Sequence, residues 1–217
     1  MTRLERRYTN TFASLGRPLG PRDRTPAREI AAAERSLGRR IPEALRVFYR
    51  LAGRATDFTS VHDRFLPPKD WAIESNKLVF LEENQVVVVY GIEAGEDPAA
   101  DPPIFMAANV ERHDLIWYKV CESCSEFIDV MVHWEGAFGS AMATGGAAIV
   151  SPRLKATLDR DWMSIGEVNK MWAYRKRGRA VCYVRWGKDG WRIFVGATSE
   201  ANVKAVARDL GVKWEHC

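Results

Sequence analysis

The chain has 217 residues, 47% of them hydrophobic, and a formal net charge of +4. That length allows one large domain, or a domain with a small appendage, and supplies enough apolar material for a real core. It excludes a membrane span, because no run reaches the roughly 18 consecutive apolar residues a span needs. It also excludes a disulfide scaffold, because four cysteines are too few for a chain of this size.

The charge is distributed in blocks. Residues 1–54 hold 13 arginines against 5 acids, a net +8. Residues 55–167 hold 8 Lys or Arg against 19 acids, a net −11. Residues 168–217 hold 11 against 4, a net +7. The plain reading is internal balance between solvated faces. The functional reading is an acidic face that steers a basic partner. The opening stretch is basic but carries no apolar core or cleavage site, so it does not read as a secretory signal, and a cytoplasmic location is expected.

Residues 1–24 are expected to form a basic, irregular arm. Leu4, Tyr8, Phe12 and Leu15 have helical spacing, but Gly16, Pro18, Gly20 and Pro21 break it. Arg3, Arg6 and Arg7 offer contacts to nucleic acid or simply to water. From Thr25 to Gly53 the sequence reads as a helical hairpin. Thr25 is placed to cap the first helix and Pro26 to begin it. Ile30, Ala33 and Leu37 share one face, and Gly38 supplies a left-handed stop. Ile41-Pro42 opens the second helix, with Leu45, Phe48, Tyr49 and Ala52 facing inward and Gly53 ending it.

Phe65-Leu66-Pro67-Pro68 is extended, because a residue before proline is pushed out of helical space. Trp71 and Ile73 are expected to cover a sheet edge. Leu78–Leu81 and 85–92 (QVVVVYGI) predict an antiparallel hairpin turning at Glu82-Glu83-Asn84. An acidic loop follows over 93–102, then strands at Ile104–Ala107 and Leu115–Val120. Ser123 and Glu126 fit a capping box for a helix that turns Phe127, Ile128, Met131 and Trp134 inward. Residues 136–147 read as a flexible small-residue link, with a domain boundary near 148–151. Beyond it come a helix at Pro152–Arg160 and strands at Met171–Arg175 and Ala180–Trp186. A turn at Gly187-Lys188-Asp189-Gly190 leads into a returning strand at Trp191–Gly196. Ser199 then caps a helix bearing Val203, Ala207 and Leu210, which Gly211 stops before a short strand at Val212–Trp214.

The arrangement Glu34, Leu37-Gly38, Ile41-Pro42 and Gly53 resembles the opening signature of the SUKH (Smi/Knr-type) superfamily. Leu78-Val79-Phe80, the run from Asn84 to Gly91, and Asp101-Pro102-Pro103-Ile104-Phe105 are similar to that family's central strands. Ser125-Glu126-Phe127 is similar to the start of the helix after them. The resemblance spans about residues 25–138 and says little of the rest. It implies an immunity protein that binds and neutralises a cognate bacterial toxin, many of which are nucleases with basic surfaces. Fungal relatives imply a regulatory scaffold instead.

Few constellations here carry chemistry. Cys121 and Cys124 form a lone C-x-x-C, and no second pair completes a zinc site; His113, His133, Cys182 and Cys217 lack ligand spacing. Cys124 falls near a helix start, which favours thiolate, but the surrounding pattern is not that of a redox motif. The remaining histidines, His62 and His216, form no metal or base motif, and the glycines at 136–147 lack a phosphate-loop lysine. Glu82, Glu83, Glu93, Glu96, Asp97 and Asp101 cluster in two solvated loops, which fits a negative docking surface better than acid–base work. Trp172, Tyr174, Arg175, Lys176, Arg177, Arg179, Tyr183, Arg185, Trp186 and Trp191 interleave aromatic and basic residues, as a nucleic-acid binder would over 168–217, and as a half-buried hairpin also would.

Taken together, the sequence predicts an α+β fold: N-terminal helices on a mainly antiparallel sheet, with a C-terminal β-β-α extension. The expected domains are an arm at 1–24, a SUKH-like domain at 25–150 and an extension at 151–217 packed on it. The expected function is non-enzymatic protein binding without cofactor or metal, with docking residues Glu82, Glu83, Glu93, Glu96, Asp97 and Asp101.

Overall fold

Tyr8, Phe12 and Leu15 are spaced to lie on one helical stripe, and all three are buried. Their burial outweighs the helix-breaking residues behind them. In the computed structural model, which describes residues 1–109, 115–138, 144–186 and 190–215, the expected irregular arm is therefore corrected to a helix, α1 (Arg3–Ser14). Its start is a capping box. The Thr2 N–H donates to Glu5 Oε2 at 2.6 Å and the Glu5 N–H to Thr2 Oγ1 at 3.2 Å. Gly16, at φ +82°, turns the chain out of the helix.

The protein is α+β and forms two compact units, Met1–Thr9 with Leu19–Ile128, and Asn10–Pro18 with Asp129–Cys217. The division falls within α1 and within a later helix, and it comes before the expected boundary at 148–151.

In the N-terminal unit α2 (Ala27–Leu37) ends at Gly38, which is left-handed at φ 62°. The helix begins after Pro26, and Thr25 makes no side-chain cap, which corrects that expectation. Thr25 is instead buried, and its backbone N–H donates to the Tyr49 carbonyl. The next helix, α3 (Glu43–Ala52), buries Ala44, Leu45, Val47, Phe48, Tyr49 and Ala52. Glu34 braces the corner between the two helices. Its Oε1 accepts from the Ile41 N–H at 2.9 Å, and its Oε2 from Arg46 Nη1 at 3.0 Å. Gly53 has no room for a side chain: a Cβ there would lie 2.3 Å from Thr25 Oγ1 and 2.6 Å from Tyr49 Cδ1.

After the single turn α4 (Thr56–Thr59) comes an antiparallel sheet in the order β1 (Arg64–Phe65), β3 (Lys77–Glu82), β4 (Val88–Glu93), β5 (Ile104–Ala108), β6 (Tyr118–Cys121). The short β2 (Ala72–Glu74), which includes Ile73, also pairs with β3. The strand expected from residue 85 begins at Val88; Val86, at φ 60°, and Val87 lie exposed in the turn. The α5 helix (Cys124–Ala137) follows. Tyr8, Phe48, Phe65, Phe80, Phe127 and Tyr90 form a continuous aromatic core, each ring 4.9–6.5 Å from the next in edge-on or tilted contact. Tyr49 Oη donates to the Leu66 carbonyl, and Trp71 Nε1 donates to the same oxygen at 3.0 Å.

In the C-terminal unit the sheet runs β7 (Thr144–Val150), β11 (Gly190–Ala197), β10 (Arg179–Trp186), β9 (Met171–Arg175), β8 (Met163–Val168), all antiparallel. Two of these strands correct the sequence reading. The expected small-residue link supplies β7, because Gly146 admits the Trp214 ring, which a Cβ there would meet at 2.9 Å. The other is β8, whose register shifts between Ser164 and Gly166, so its alternation is broken. One face carries α6 (Leu154–Asp161) and α7 (Glu200–Leu210) over Leu158, Trp162, Tyr174, Val181, Tyr183, Ile193 and Val195. The α7 helix starts at Ser199, whose hydroxyl accepts from the Asn202 N–H, and stops at left-handed Gly211. The expected strand at Val212–Trp214 is replaced by one bond, Glu215 N–H to Ala147 carbonyl at 2.7 Å. The other face meets α5, where the Trp134, Phe138 and Phe194 rings lie within 5.3 Å of one another, Phe138 stacked on Phe194 and Trp134 edge-on to both. The turn at 187–189 lies outside the described residues.

Candidate partner-binding surface

The six acidic residues singled out by sequence divide between the two ends of the β3–β4 hairpin. Glu82 pairs with Val89 at one end, and Lys77 with Glu93 at the other. Four to five residue steps, about 15 Å, separate them. Two of the six are occupied by the fold itself. Glu82 forms an ion pair with Arg64 across β1. Asp101 reaches 24 residues ahead to cap α5: Oδ1 accepts from the Ser125 N–H at 2.7 Å and Oδ2 from the Ser125 hydroxyl at 2.6 Å. Ser123 Oγ adds a bond from the Glu126 N–H at 3.3 Å, so the helix has two caps where the sequence pointed to one.

Glu83 turns back on its own loop and accepts from the Gln85 N–H. That leaves Glu93, at the end of β4, and Glu96 and Asp97 on the loop that follows it. Glu93 approaches Lys77 at 3.6 Å with its side chain 65% exposed. Glu96 and Asp97 are exposed and make no ion pair among the described residues. The negative surface thus contracts to three residues over 93–97: Glu96 and Asp97, which make no ion pair among the described residues, and Glu93, which shares its charge with Lys77.

Other polar clusters are built for structure. Cys124 is fully buried, and burial pushes its thiol well up, with Asp101 adding in the same direction. The helix start therefore does not make it a thiolate, in line with the ordinary buried thiol the sequence reading preferred. Burial raises the Cys121 and Cys182 thiols too. Among the described residues no group of three His, Cys, Asp or Glu gathers to hold a metal. His113, His216 and Cys217 lie outside them, as do residues 139–143 of the glycine-rich stretch.

A groove of about 670 Å³ runs between α2 and residues 67–71, lined by Ala33, Leu37, Pro67, Pro68 and Trp71, and by Glu29 and Arg54, which pair at 2.6 Å. Its carboxylate is held by a guanidinium rather than by a partner that would make it a base.

The C-terminal unit contains a buried polar cluster that sequence reading passed over. Thr11 Oγ1 donates to Asp129 Oδ1 at 2.8 Å, and His133 Nδ1 donates to the Asp129 carbonyl at 2.7 Å. The other ring nitrogen, Nε2, is buried without a partner among the described residues, so the ring is neutral. Burial lowers its pKa from 6.5 to about 4, with Arg175 pushing the same way. The available signal was Asp129 and His133 one helical turn apart within the apolar run of α5.

The basic-aromatic residues of the tail also separate. Arg175 donates to Ser14, Arg179 to Asp209 and Asn202, and Tyr174 to Asp159 at 2.6 Å. Trp172, Tyr183, Trp191 and Arg185 remain together on one face, as described below.

Compared with known proteins, the chain matches no family model, no curated protein and no solved structure. No helix among the described residues is long and apolar enough to cross a membrane.

Proposed function

We propose that this protein works by binding: it is a SUKH-type immunity protein that docks on a cognate toxin domain in the cytoplasm and occludes it. The observation that carries the reading is the 93–97 loop, where Glu93, Glu96 and Asp97 are exposed while Glu82 and Asp101 serve the fold. A one-signed patch, spent only in part on Lys77, attracts and orients a basic surface such as a nuclease presents to phosphate. A second support is the helical corner that carries the family-like signature, in which Glu34, Gly38 and Gly53 each meet a specific geometric need. The mechanism is steric coverage without turnover.

The test is co-expression with a toxin domain encoded beside this chain. Growth should be rescued, and the two proteins should purify together. Reversing Glu93, Glu96 and Asp97 to lysine should abolish both. Rescue that survives the reversal contradicts the docking surface, and rescue by turnover of a small compound contradicts the class.

A further inference from the structure

Three aromatic side chains of the C-terminal unit lie side by side on the sheet face that carries α6 and α7. Trp172 on β9 stands opposite Tyr183 on β10, and Trp191 on β11 is two residues along from Tyr183's own partner there, Ile193, and so on the same face. The Tyr183 and Trp191 rings stack at 4.7 Å with planes 8° apart. Trp172 lies 6.0 Å from Tyr183 and 5.8 Å from Trp191. Both tryptophans are partly buried, at the margin of the α6–α7 core rather than in its centre.

Cations border these rings. The exposed Arg185 guanidinium lies 5.4 Å from the centre of the Trp191 ring, and Lys155 Nζ lies 5.2 Å from that of Trp172. Exposed Lys170 adjoins Arg185, whose backbone N–H donates to the Lys170 carbonyl at 3.1 Å. The acids nearby are Asp159, which pairs with Lys155 at 2.9 Å, and Glu167, opposite Trp172 on β8. Asp159 leaves Lys155 little charge to offer, whereas Arg185 and Lys170 have no ion pair among the described residues.

We infer that this patch binds single-stranded nucleic acid, with bases stacking on Trp172 and Trp191 and phosphates meeting Arg185 and Lys170. Flat rings beside fixed cations match a ligand that presents flat faces and regular negative charge. A duplex hides its base faces, so unpaired strands are the form the patch selects. This site is independent of the 93–97 loop and belongs to the other unit.

The experiment uses the full chain. A labelled single strand of about 12 thymidines or uridines, a length within the usual single-strand site range, is titrated with tryptophan emission as one readout and anisotropy as the other. Saturable binding with quenching is expected, weakening as salt rises with a slope of about −0.7 per phosphate contacted. Trp191→Leu should weaken binding about tenfold and leave the salt slope in place. Arg185→Glu with Lys170→Glu, on exposed positions that do not bear on folding, should weaken binding about tenfold or more and flatten the slope. Should Trp191→Leu fail to fold, the charge variant decides. Absence of binding by the unaltered protein, binding insensitive to the charge variant, or equal affinity for duplex overturns the inference.

Discussion

Both units set helices on an antiparallel sheet, yet they differ in the polar groups they enclose. The N-terminal unit braces its corners with carboxylates. Glu34 braces the α2–α3 turn and Asp101 caps α5, both from partly exposed positions. Both units bury polar residues, Asp23, Thr25, Thr59, Asp63 and Ser125 in the first and Thr11, Asp129, His133 and Glu135 in the second, but the one histidine among them is His133 of the C-terminal unit. Corner bonds cost little desolvation and add modest stability. A buried polar group is costly unless fully satisfied, and it ties stability to protonation. The comparison teaches that the N-terminal unit should tolerate acid and surface change, while the C-terminal unit should respond sharply to both pH and packing.

The most severe way to sharpen this contrast is Gly196→Ala. A Cβ there would sit 1.9 Å from the Gly136 carbonyl oxygen of α5, so helix and strand must separate. A loss of about 3 kcal/mol is expected in chemical denaturation, the upper range of overpacking. An effect under about 0.5 kcal/mol would show that the approach is loose.

Next in size is pH. Unfolded His133 has the ordinary value of 6.5, and the folded ring titrates at about 4. Between those values the unfolded chain binds the extra proton, so stability present above pH 6.5 is lost as pH falls towards 4. The linkage amounts to about 3 kcal/mol at roughly 1.4 kcal/mol per unit. His133→Asn, which keeps a donor near Nδ1, should flatten stability across that window. An unchanged profile would break the comparison.

Smaller effects are expected in the N-terminal unit. Glu34 is pushed up by burial but held below the ordinary carboxylate range by its bonds from Arg46 and the Ile41 N–H. Its contribution is present above about pH 4.5 and lost as pH falls further. Glu34→Gln should cost about 1–2 kcal/mol at neutral pH, and Asp101→Ala about 1 kcal/mol through the lost cap. Equal or larger losses than those of the C-terminal variants would reverse the contrast.

How much of this was legible in the chain depended on how local the cause was. The α2 and α3 helices, β9 to β11 and α7 follow from periodicity, caps and glycine stops within a few residues. The α1 helix was missed because the glycines and prolines after Ser14 were weighed above the Tyr8–Phe12–Leu15 stripe, although Thr2 and Glu5 carried a capping signal. The β7 strand was missed because its glycines read as slack, whereas Gly146 makes room for Trp214. The docking residues were legible as acids but not as a surface. Nothing near Asp101 in sequence shows that Ser125 claims it, and nothing near Glu82 shows Arg64.

The smallest effect on stability, and the largest on function, belongs to the 93–97 loop. Changing Glu93, Glu96 and Asp97 to lysine should shift folding by no more than about 0.5 kcal/mol. The most direct measurement is the affinity of the full chain for a cognate toxin domain across a range of salt, with and without those three changes. The account predicts binding that weakens with salt and falls at least tenfold in the lysine variant, with the salt dependence largely gone. Identical affinity and identical salt dependence in the two proteins would contradict it.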